Sequence, residues 1–238
     1  MGKIKSKLER KKEIQDMYDV YVNAWGGYAD EPKEAPVVEI IEGIAKDVGL
    51  PPSYLFTIAT GEGLGWIYLS DLKNYKNGKV ITDKKISGFQ NFGLDFFGNP
   101  KEWPNLKKYL PKTYNEGDEF VSIAEKRDEA YGKETVYSAD FKNLESSIWA
   151  MAAVLKQRAD RFERDWTELN YIKPTEDEWA FWTYFYYQRP ELAFQRIKEL
   201  KSYDIFYLKT SDRTKIRTKA LERVAAWRYI QYYNIFST

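Results

Sequence analysis

The run Trp179-Ala-Phe-Trp-Thr-Tyr-Phe-Tyr-Tyr187 restricts the fold more than any other part of the sequence. Thr175 followed three residues later by Glu178 is the capping-box pattern that opens a helix, so the run reads as helical from Trp179 to Tyr187. Its residues are apolar or aromatic on nearly every face. A helix of that kind belongs deep in a core, with other helices around it. The chain supplies them. Leu144, Ile148, Met151, Ala152, Leu155, Ala159, Phe162 and Trp166 fall on one helical stripe. Further helices read from Glu191 to Lys201 and from Asp212 to Tyr233.

Upstream, Val37, Ile41, Ile44, Ala45 and Val48 mark a second helix that stops at Gly49. Pro51, Pro52 and Ser53 open a third, with Pro suited to a first turn and Ser53 as candidate cap. The first helix is carried by Ile14, Met17, Tyr18, Tyr21, Val22 and Trp25 and ends at Gly26-Gly27. A linker rich in Asp, Glu, Lys and Pro follows, from Tyr28 to Pro36. Residues 1–35 therefore read as a basic N-terminal helical arm and linker, and residues 36–238 as the main domain, long enough to bury a sizeable core. Asn77-Gly78 between β-prone stretches predicts a hairpin within Tyr75–Gln90. Gly88 to Gly98 reads as a packed turn, and Pro100 to Asp140 as irregular. The expected fold is mainly α: a helical bundle with a small β-hairpin after the third helix.

Composition narrows the chemistry. The chain has no Cys and no His, which removes thiol nucleophiles, histidine bases and histidine- or thiolate-ligated metals. Catalysis must then use carboxylates, Lys, Tyr or a bound group, and neither a metal nor a cofactor is expected. With 37 basic and 36 acidic residues the net charge is +1, which does not suit a nucleic-acid partner. No apolar run approaches the roughly 20 residues of a membrane span. The basic start lacks the apolar stretch of a cleavable signal peptide. It does fit the acylation pattern of Met1, Gly2 and Ser6, with Lys3, Lys5, Lys7, Arg10, Lys11 and Lys12 nearby. The default for that segment is a solvated helix start.

One residue breaks the apolar pattern of the third helix. Its stripe reads Leu55, Ile58, Ala59, then Glu62, then Trp66 and Leu69. A carboxylate on a buried face is costly unless paired or protonated, and a carboxyl that keeps its proton at neutral pH can serve as a general acid. Gly61, Gly63 and Gly65 surround it. Glycines are poor helix residues that suit a helix end, a bend or a close approach. The plain alternative is a Glu62 paired with an Arg or Lys.

Residues 55–64, Leu-Phe-Thr-Ile-Ala-Thr-Gly-Glu-Gly-Leu, are followed by the hairpin signal, by Gly88-Phe-Gln-Asn-Phe-Gly93 and by the helix around Trp149 to Arg161. This order resembles the lysozyme-like fold of lytic transglycosylases and goose-type lysozymes. The resemblance implies an α+β lysozyme-like domain that cleaves peptidoglycan or a related polysaccharide, with Glu62 as acid/base. Gly88-Phe89-Gln90 would match the family's cleft-lining Gly-Leu-Met-Gln turn, with Gln90 as polar contact beside Asn91. The family's Tyr-Asn-x-Gly motif would fall on Tyr187 to Pro190, with only the Tyr in common. Asp95 is the best second carboxylate, ahead of Asp71 and Asp83; its plain reading is a turn Asp bonding its own backbone. Phe89, Phe92, Tyr184 and Tyr187 are candidate sugar-stacking rings, although such rings are ordinarily core. The resemblance further implies a cytoplasmic protein until it is delivered to a wall, as a phage-like lysis or tail protein or as cargo of a secretion or contractile injection apparatus. Two competing readings remain: an inactive lysozyme-like glycan-binding or structural module, and an unrelated helical interaction protein.

Overall fold

Thr175 and Glu178 form the capping box that their spacing predicts. The Thr175 Oγ1 accepts from the Glu178 N–H at 3.3 Å, and the Glu178 carboxylate accepts from the Thr175 N–H at 2.7 Å. The computed structural model describes residues 6–12, 15–16, 37–62, 103–114, 120–126, 135–141, 144–169, 172–199, 215–233 and 236. Within them the helices are α1 (Val37–Val48), α2 (Pro52–Glu62), α3 (Trp103–Leu106), α4 (Leu144–Glu168), α5 (Glu176–Gln188), α6 (Pro190–Glu199) and α7 (Lys215–Tyr233). The described residues are mainly α-helical. No helix among them is long and apolar enough to cross a membrane. The predicted hairpin of Tyr75–Gln90, the Gly88–Gly98 turn, and Trp66 and Leu69 lie outside the described residues, as does most of the first helix.

Helix α5 occupies the centre, and its residues Ala180 to Tyr187 are all buried. Helix α4 covers it with Ile148, Met151, Leu155, Phe162 and Trp166, and α7 with Ala220, Val224, Trp227 and Ile230. Helix α1 packs on α4 through Val38, Ile41, Ile44 and Ala45. It ends in a Schellman motif: the Leu50 N–H donates to the Ala45 carbonyl at 2.8 Å and the Gly49 N–H to the Lys46 carbonyl at 3.2 Å. Gly49 takes φ +74° to make that turn. Gly49→Ala is therefore expected to cost about 1–2 kcal/mol, the penalty of a Cβ in the left-handed region, read as a drop in the thermal midpoint. An unchanged midpoint would show that the turn relaxes into another conformation.

Two sequence expectations need correction here. Ser53 is not the cap of α2. Pro52 is the first helical residue, and the Ser53 hydroxyl instead accepts from the Trp227 indole Nε1 at 2.9 Å, joining α2 to α7. The stretch from Pro100 to Asp140 is also more ordered than its scattered Pro, Gly and Asn suggest. It contains α3, opened by Pro104 in its first turn and continued by a 3-10 turn at Lys107–Tyr109 that buries Leu106 and Leu110. It also contains two antiparallel strands, β1 (Phe120–Lys126) and β2 (Thr135–Phe141), paired from Phe120 opposite Phe141 to Lys126 opposite Thr135.

At the N-terminus residues 7–12 are helical. Ser6 and Glu9 cap them reciprocally, at 2.6 Å from the Ser6 N–H to the Glu9 carboxylate and 3.2 Å from the Glu9 N–H to the Ser6 Oγ. The serine of the acylation pattern thus serves as a helix cap. Lys11 Nζ reaches the Glu42 carboxylate on α1 at 2.6 Å, a partly exposed ion pair. Such a pair contributes no more than about 1 kcal/mol. Deleting residues 1–27 is accordingly expected to leave a domain that unfolds cooperatively. Loss of a sharp transition would instead make the arm part of the core.

Candidate functional site

Helix α2 carries the residue singled out by the sequence. Tyr54 to Ala59 are buried without a break, so this helix is enclosed on all sides rather than along one stripe. Its enclosure is polar as well as apolar. The Tyr54 hydroxyl donates to the Ala180 carbonyl of α5 at 3.0 Å, and its ring meets those of Trp179 and Trp227 edge-on at 4.9 and 5.5 Å. Burial pushes the Tyr54 hydroxyl well above its ordinary titration range, with the neighbouring Tyr184 adding to the rise and Arg223 opposing it. That phenol is a fixed donor and not a proton carrier at neutral pH.

Glu62 is the last residue of α2. The backbone carbonyls at that end gather the negative pole of the helix dipole, and the last turn of α2 contains no basic residue. The cation comes from elsewhere. Arg223 of α7 donates from Nη2 to the Gly61 carbonyl oxygen at 2.7 Å. Its guanidinium also lies over the Tyr184 ring, 5.4 Å from the centroid. Gly61 makes this approach feasible: a Cβ there would lie 2.1 Å from Arg223 Cζ and 2.3 Å from Nε. One of the three glycines around Glu62 thus has a concrete reason, the close approach of a side chain from 162 residues away in sequence.

Tyr184 and Tyr187 are both buried, at 0% and 7% exposure, with ring centroids 6.0 Å apart. They occupy the core position that is ordinary for such rings, not an open stacking surface. Asp95, Gln90, Asn91, Phe89 and Phe92 lie outside the described residues, as does the side chain of Glu62. Sequence reasoning missed Arg223 altogether. The helical spacing of Ala220, Val224 and Trp227 would have put residue 223 at the margin of a buried stripe, but not which helix end it meets.

A second polar cluster lies on the far side of α5. Asp165, buried on α4, accepts from the Tyr186 hydroxyl at 3.0 Å and from Arg164 at 3.3 Å, with Arg161 Nε at 3.6 Å. Arg161 extends the chain of contacts to Glu191 on α6 at 2.9 Å. Burial, then the Asp165 charge, push the Tyr186 hydroxyl far up. The hydrogen bond from Arg161 holds the Glu191 carboxyl below its ordinary value. Every acid in the cluster is bound to a donor, so its work is to join α4, α5 and α6. Among the described residues no group of three or more acidic side chains is placed to hold a metal ion. No protein-family model matches the chain, and searches of curated proteins and of solved structures give no match.

Proposed function

We propose that the protein cleaves the glycan strands of peptidoglycan or a related polysaccharide, with Glu62 as general acid/base. The observation that carries the reading is the position of Glu62 at the carbonyl end of an enclosed helix. The negative pole of the dipole there disfavours a further negative charge, the condition in which a carboxyl holds a proton to donate. On this reading the fold is lysozyme-like, the hairpin follows α2, and Phe89, Gln90 and Asn91 line the sugar cleft. Glu62 protonates the glycosidic oxygen as the bond to the anomeric carbon breaks. The carboxylate left behind then takes the proton from the attacking group. If that group is a hydroxyl of the same sugar, the product is an anhydro-sugar. If it is water, oriented by Asp95, the product is a reducing end. Buried Tyr184 and Tyr187 belong to the core on this reading rather than stacking on sugar. The route to the wall would be delivery by a phage-like, secretion or contractile injection assembly.

A second reading has its own support. The Arg223 cation beside position 62 favours an ionised carboxylate, as in an inactive lysozyme-like module that binds glycan or serves as structural cargo. Digestion of purified peptidoglycan separates the two, with fragments read by mass spectrometry. Anhydro ends are expected from a transglycosylase and reducing ends from a hydrolase. No fragments from several wall types would leave the binding or structural role.

A further inference from the structure

We infer that Arg223 is the positioning residue for Glu62: by gripping the last turn of α2 it fixes a positive charge beside the acid/base. The inference rests on the role proposed for Glu62 and deepens it. Its basis is covalent geometry together with one contact. Arg223 Nη2 is 2.7 Å from the Gly61 carbonyl oxygen. The planar trans peptide that follows puts the Glu62 Cα about 3 Å from that same oxygen. The guanidinium therefore stands within about 6 Å of the Cα from which the Glu62 side chain starts, whichever rotamer that side chain adopts.

Three features indicate that this placement is built. Gly61 leaves out the one atom that would collide with the guanidinium, at 2.1 Å from Cζ. The Tyr184 ring on α5 lies under the cation at 5.4 Å, a face that attracts guanidinium. The helix end itself supplies the partial negative charge that draws a cation to it. Tyr54 on α2 itself and Tyr184 on α5 are titratable groups close to the guanidinium. Burial holds the Tyr54 hydroxyl neutral. The two influences on position 62 are therefore opposed. The helix pole resists a negative charge and the Arg223 cation accepts one, so that the acid can both hold its proton and survive as a carboxylate after giving it up. An acid/base that acts in both proton steps requires that balance.

The test is a titration of the Glu62 carboxyl by NMR on isotope-labelled glutamate, with the resonance assigned by its loss in Glu62→Gln. In Arg223→Gln, which removes the charge and keeps the length approximately, the Glu62 titration is expected to move up by about one pH unit, the effect of losing a cation at this range. Arg223→Lys should return it most of the way. Gly61→Ala, which pushes the guanidinium aside but leaves residue 223 in place, should also move it up and serves if Arg223→Gln does not fold. A Glu62 titration unchanged in Arg223→Gln, or in Gly61→Ala where that variant stands in, overturns the inference whatever the digest of peptidoglycan shows. A digest without fragments, alongside the expected titration shift, removes the cleavage reading and leaves the charge pairing.

Discussion

Glu62→Gln is expected to slow release of glycan fragments by about 100- to 10,000-fold, the range that a positioned acid/base contributes, while the protein stays folded. The amide nearly matches the carboxyl in shape but has no acidic proton to give to a leaving oxygen. Nor does it burden the helix: at the carbonyl end of α2 a neutral side chain suits the dipole better than an anion. The measurement is a time course of soluble fragments from purified peptidoglycan, with circular dichroism on the same sample. A variant that releases fragments as fast as wild type discards Glu62 as the acid. One that has lost its helical signal says nothing of chemistry but shows that the position matters to the bundle.

The largest effect on stability is expected from Trp182→Ala, at about 3–5 kcal/mol. Trp182 is 1% exposed on the central helix, with its ring edge-on to Phe181 at 5.1 Å and tilted against Phe185 at 5.6 Å. Its indole N–H has no hydrogen-bond partner among the described residues, so the loss is one of packing and apolar burial. Against the roughly 5–15 kcal/mol that holds an ordinary domain together, this is about a fifth or more of the total. Denaturant unfolding reads it as a lower midpoint at constant slope. A shift below about 1 kcal/mol would mean that α5 is less enclosed than Ala180 to Tyr187 indicate.

Local chemistry was the legible part of the sequence. The capping box at Thr175 and Glu178, the all-round apolar α5 and the Gly49 stop each depend on residues within a turn or two of one another. Ser53 misled because a serine near a helix start is ordinarily its cap, whereas here Pro51 and Pro52 move the start and a tryptophan from α7 claims the hydroxyl. The strand pair escaped notice because Ala124, Glu125 and Lys126 are poor strand residues. The alternation of Tyr137, Ala139 and Phe141 was the available signal. Glu62 stood out by breaking an apolar stripe. Arg223 could not, because nothing in a single sequence reports which of many cations meets a given helix end.

Two bonds that join α2 to α7 link residues 162 and 174 positions apart, Gly61 with Arg223 and Ser53 with Trp227. During synthesis α2 emerges well before the helix that packs on it and places a cation at its end, 162 residues separating Gly61 from Arg223. At about 5–20 residues per second, the face of α2 that α7 covers waits many seconds for its partner. A nascent chain that stops short of α7 already contains the acid but not the partner that holds its turn. On the reading proposed for Glu62, glycan-cutting power would then be withheld until α7 has been made, a delay written into the order of the elements rather than into any inhibitor.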